Sequence, residues 1–130
     1  MKIFKNILKT IALLAIVFGC TNHTESSKEE DLAELTALQE EIELLVDSGV
    51  CSGNSGCDYI AFGSKACGGP KTYLVFSTSI NVELLQQKVA TYNALDDAFN
   101  LKYGVASDCY YVTPPPEVAC IDGKCVGIYE

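Results

Sequence analysis

The sequence has no arginine, no tryptophan, one methionine and one histidine, His23. The basic residues are nine lysines against 17 acids, a formal net charge of -8. No basic patch forms, which argues against nucleic acid as a partner. His23 stands ahead of the cysteine-rich region, so a Ser–His or Cys–His pair cannot assemble inside the fold. No C-x-x-C pair occurs, which argues against a zinc centre. The longest clear apolar run, Ile11 to Phe18, falls short of the roughly 20 residues a membrane-spanning helix needs. Repeats and low-complexity tracts are missing too, and nothing marks a second domain.

The N-terminal stretch is informative. Lys2, Lys5 and Lys9 precede the apolar run, and Cys20 closes it, which is the pattern of a secretory signal. Val17-Phe18-Gly19-Cys20 resembles the lipobox of bacterial lipoprotein precursors. The resemblance implies cleavage after Gly19 and lipidation of Cys20. Two or three acyl chains on one residue anchor stably where one does not, so the membrane becomes the first expected partner. Thr21 is not the aspartate associated with inner-membrane retention. The resemblance therefore implies the outer rather than the inner membrane.

Removing residues 1–19 takes three lysines and no acid, which leaves a formal charge of about -11. Roughly 110 residues remain, enough for one small domain. The acidity is concentrated: Glu25 to Asp47 carries nine acids and one lysine, Lys28. The chain thus divides into a signal (1–19), a tether (20–28) and a single domain (29–130). That domain comprises a helix (29–47) and a cysteine module (51–130).

With Cys20 lipidated, Cys51, Cys57, Cys67, Cys109, Cys120 and Cys125 remain. An even number in a small exported domain reads as a disulfide framework. Each bridge is typically worth about 2–4 kcal/mol.

Leu32, Leu35, Leu38, Ile42 and Leu45 recur at helical spacing, which predicts a helix from Glu29 to Val46. Its apolar stripe either packs on the cysteine module or forms a short coiled-coil seam with another chain. Asp58–Phe62 and Lys71–Ser79 read as strands, joined by the turn-rich Gly63–Pro70 loop, GSKACGGP. Asn81 is a good N-cap for a long helix, Val82–Tyr103, with Leu85, Val89, Tyr92, Leu95 and Phe99 on one face. Ser107–Thr113 is expected as a short strand. Asp122-Gly123 predicts a tight hairpin that sets Cys120 opposite Cys125. Those two bond either to each other or elsewhere. The second is preferred, because directly opposed cysteines make strained bridges.

Candidate chemistry is sparse. Asp58, Asp96 and Asp97 are carboxylates best explained by a solvated surface. Two features could bind a partner. One is the Gly63–Pro70 loop, with Lys65, Gly68, Gly69 and Pro70. The other is Thr113–Glu117, preceded by Tyr110 and Tyr111. Rigid loops lose little entropy on binding.

The residues Cys51, Cys57, GSKACGGP with Tyr73, Ser107-Asp108-Cys109, Pro116, Cys120 and Asp122-Gly123-Lys124-Cys125 also resemble a set of small six-cysteine exported bacterial proteins. This resemblance implies one module and no activity, substrate or ligand.

The expected fold is α+β: a small antiparallel sheet on one long helix, disulfide-braced, behind an acidic N-terminal helix. The expected function is a binding or structural lipoprotein of the cell envelope, meeting an envelope or extracellular protein. No cofactor or metal is called for. The alternative is a lipid-tethered peptidase inhibitor that presents the Gly63–Pro70 loop with an accessible Lys65. An enzyme has the least support.

Overall fold

The computed structural model describes residues 25–52 and 56–129. The expected signal, Cys20 and positions 21–24 of the tether lie outside them.

Helix α1 spans Lys28–Asp47. It begins one residue before the expected start, because Ser27 closes a capping box. The Glu30 N–H donates to Ser27 Oγ at 3.2 Å, and the Ser27 N–H donates to Glu30 Oε2 at 2.8 Å. Glu29, Glu30 and Asp31 add negative charge to its first turn. Helix α2 spans Val82–Tyr103, capped by Asn81, whose Oδ1 accepts from the Leu84 N–H at 3.0 Å. Gly104 ends it at φ 59°, in the left-handed region.

The two helices pack face to face. Leu35 and Ile42 of α1 meet Leu85, Val89 and Tyr92 of α2 in one core. Ile42 and Leu85 are fully buried. Each such side chain is worth about 1.5–3 kcal/mol of burial. The α1 stripe is therefore used inside the domain, the first of the two readings above. Leu32 is its exception, about half exposed.

Strands β1 (Cys57–Phe62) and β2 (Thr72–Ser77) form an antiparallel hairpin with Ile60 opposite Leu74. Alternation aims Ile60, Phe62, Leu74 and Phe76 at the helices. Phe62 stacks on Tyr92 with ring centroids 4.3 Å apart. A second hairpin, β3 (Glu117–Ile121) and β4 (Lys124–Ile128), pairs Cys120 with Cys125. Asp122 and Gly123 both have positive φ, 51° and 79°, as the sequence predicts for a primed turn.

The architecture is α+β and disulfide-braced, as expected, but the sheet is divided. Among the described residues there are two two-stranded sheets, not one. The β1–β2 hairpin lies between the helices and β3–β4. Two bridges fasten the outer hairpin: Cys51–Cys120 and Cys57–Cys125. Cys120 and Cys125 thus sit opposite each other and bond elsewhere. Pro115 is buried beside Gly127, where an added Cβ would lie 3.1 Å from the proline Cβ.

The strand expected at Ser107–Thr113 does not form. Residues 105–115 carry no regular secondary structure. A strand needs a backbone ladder partner, and side chains and a disulfide hold this segment instead.

Candidate functional site

The Gly63–Pro70 loop is seated on a polar face of α2. Asn93, Asp96, Asp97 and Asn100 follow helical spacing and point at one stretch of backbone. Asn93 Oδ1 accepts from the Gly63 N–H at 2.7 Å, and its Nδ2 donates to the Ala61 carbonyl at 3.2 Å. Asp96 Oδ2 accepts from the Ser64 N–H at 2.8 Å. Asp97 Oδ1 accepts from the Ser64 hydroxyl at 3.1 Å. Asn100 Nδ2 donates to the Ser64 carbonyl at 2.7 Å. Gly63 has φ +75°, and a Cβ there would stand 2.9 Å from the Lys71 side chain, so only glycine fits without strain.

Asp96 corrects the expectation of a solvated carboxylate, because it is only 3% exposed. Burial is tolerated because one oxygen holds the Ser64 N–H and the other receives Lys71 Nζ at 2.7 Å. Asp97 stays on the surface. Asp58 is exposed and accepts the Tyr59 N–H. The three do not gather into an acid–base pair.

Lys65 is a second correction, since it is 8% exposed and not accessible. Its Nζ donates to Asp108 Oδ1 at 2.6 Å and to the Tyr110 carbonyl at 2.8 Å. The lysine expected to meet a protease instead bolts the loop to a distant segment. Two residues on, Cys67 is bonded to Cys109. A short turn lies between: the Gly68 N–H donates to the Lys65 carbonyl at 2.8 Å, and the Lys65 N–H to the Gly69 carbonyl at 2.9 Å. Ala66, Cys67, Gly68 and Gly69 remain exposed at the tip, and Pro70 at the exit is half-buried.

The first surface feature of the sequence reading thus meets the tyrosines that precede the second, while Thr113–Glu117 itself lies against β4, with Pro115 buried beside Gly127. The loop tip and the Asp108–Tyr111 segment are joined by a disulfide and a buried lysine. Tyr110 and Tyr111 stand on that segment, 78% and 72% exposed. A tyrosine combines a large apolar face with a hydroxyl at little entropic cost, which suits a contact surface. The sequence signals were present but separate: Asn93, Asp96 and Asn100 at i, i+3 and i+7, and Lys65 beside a cysteine.

The chain enters the domain close by. Lys102 Nζ, on the last turn of α2, donates to the Ser26 carbonyl at 2.9 Å and to Asp31 Oδ2 at 2.8 Å. Tyr103 donates its hydroxyl to the same carboxylate oxygen at 2.8 Å. Hydrogen bonds from Lys102, Ser26 and Tyr103 hold the Asp31 carboxyl down to about 2. Asn100, which seats the loop, lies one turn before Tyr103.

The sulfurs of Cys51, Cys57 and Cys125 lie within 4.8 Å of one another. All three belong to the two hairpin disulfides and have no thiolate to offer a metal. Among the described residues, no helix is long and apolar enough to cross a membrane. Comparison with protein-family models, curated proteins and solved structures finds no match to this chain.

Proposed function

We propose that the chain is an extracytoplasmic lipoprotein, lipidated at Cys20 and held on the cell envelope at the outer membrane. Its domain acts as a binding module. The contact surface combines the Ala66–Gly69 tip with Tyr110 and Tyr111.

One observation carries this reading. Two tyrosines stand more than two-thirds exposed on a segment without helix or strand, yet the segment is fastened by Cys67–Cys109 and by Lys65. The backbone that carries the aromatics is pre-ordered, so a partner has only the side chains to order on binding. The six domain cysteines all being paired suits an oxidising compartment. Palmitate labelling tests the anchor: wild type takes up label and Cys20→Ala does not. Label in the Cys20→Ala protein removes the anchor.

The exposed, disulfide-pinned tip favours one second reading, a tethered peptidase inhibitor. With Lys65 turned inward, a protease would meet Ala66 and Cys67, so the specificity would not be trypsin-like. Assays against envelope proteases at micromolar domain test it. Slowing of none of them removes it.

A further inference from the structure

We propose that Cys67–Cys109 is a thiol–disulfide exchange site, reached by an external dithiol, that releases or fixes the tyrosine surface. The inference rests on the binding reading for its purpose and names the regulation of that same surface.

The three disulfides occupy different places. Cys51 is buried, and Cys57, Cys120 and Cys125 are half-buried between the two hairpins. Cys67 and Cys109 are both exposed. Access to the sulfur governs exchange, so the third bridge is the one a reductant meets first. It also joins two stretches without regular structure, whereas the others tie hairpin to core. Opening it leaves the helices, both hairpins and two disulfides untouched. What it loosens is residues 105–113, left with Lys65 as their main fastening.

The geometry also assigns the two sulfurs. The Ser107 Oγ lies 3.4 Å from Cys67 Sγ, nearer than the Ser107 carbonyl oxygen, which stands 3.7 Å from Cys67 Sγ and 4.0 Å from Cys109 Sγ; the bonded sulfur carries no proton, so the hydroxyl is the donor. A donor at that place stabilises charge on Cys67. An incoming thiolate therefore attacks Cys109 Sγ, the S–S bond breaks, and Cys67 leaves as the thiolate. The reductant's second thiolate then attacks its own sulfur in the mixed disulfide and frees Cys109. Two electrons and two protons pass to the protein, and the dithiol leaves as its own disulfide. Reoxidation runs the same steps backwards.

Titrating the full mature chain with dithiothreitol, under native conditions and with alkylation and peptide mapping, tests this. Cys67 and Cys109 should alkylate at least about tenfold faster than the other four. Hydrogen exchange in residues 105–113 should then rise at least about tenfold while α1 and α2 stay protected. Equal or earlier opening of Cys51–Cys120 or Cys57–Cys125 overturns the site. Unchanged exchange in 105–113 after opening overturns the control of the surface. Ser107→Ala should slow opening several-fold, and Ser107→Thr should restore it. An unchanged rate in Ser107→Ala overturns the choice of Cys67 as leaving group. None of these readouts involves a partner, so the binding reading stands or falls separately.

Discussion

Lys65 reaches across 43 residues of sequence to set its ammonium 2.6 Å from Asp108. Its own side chain is 10% exposed, while that of Asp108 is 78% exposed. The pair is therefore asymmetric: water screens the acid, and the lysine is committed. The more telling bond is the second one, to the Tyr110 carbonyl. It fixes backbone directly beneath the exposed aromatic ring.

Lys65→Met keeps the stem and removes both bonds. Because Asp108 is solvated, the Coulomb part is small, and a loss of about 1–2 kcal/mol is expected, mainly from the freed carbonyl. Urea denaturation measures it. Hydrogen exchange at residues 105–113 should quicken far more than the global stability falls. An equal change everywhere would mean that Lys65 serves the whole fold and not this segment.

Asp96→Ala strips the acceptor from the Ser64 N–H and the partner from Lys71. Lys71 is nearly half exposed, so its charge returns to water cheaply. The expected cost is about 2–3 kcal/mol, most of it from the half-buried N–H. Lys71→Gln should cost less than half of that. If the lysine variant is the worse one, charge pairing outweighs the seating of the loop.

Ile42→Ala should cost about 2–5 kcal/mol, because a fully buried side chain between α1 and α2 leaves a cavity. Leu32→Ala, on the exposed side of the same helix, should stay within about 0.5 kcal/mol. Indifference to Ile42→Ala in the isolated domain would mean that α1 seats on something else.

Asp31 gives a pH signature. Its folded pKa is held down to about 2, below the ordinary 3.8, by Lys102 first. A depressed acid stabilises the fold fully above its unfolded pKa, and the effect fades as pH falls from about 4 to about 2. The junction between the start of α1 and the end of α2 should loosen over that interval. Asp31→Asn should remove that component of the pH dependence. Carboxyl NMR of Asp31 reads the titration directly, and a midpoint near 4 contradicts the assigned bonds.

Local rules made much of the fold legible in the sequence. Asn81 and Gly104 bound α2 where N-cap and C-cap chemistry place them, and Asp122-Gly123 sets the second hairpin. Those signals act over a few residues. The division into two sheets was not legible, because it depends on how hairpins stack. Ser107–Thr113 has strand-like composition, but composition cannot supply a ladder partner. Asp96 read as surface because a carboxylate on a helix usually is. Only the fold reveals that Ser64 and Lys71 meet it. Lys65 failed for the same reason, since its partners lie more than forty residues away. The six cysteines announced a framework without its pairing, and the pairing is what turns two loops into one surface.

The most direct measurement is photocrosslinking in the native envelope. A photoreactive amino acid replaces Tyr111 in one strain and the exposed Leu44, near the far end of α1, in another. The account predicts a discrete adduct from position 111, lost in Tyr110→Ala with the domain still folded, and none from position 44. The same adducts from both positions, or none from 111, would contradict it.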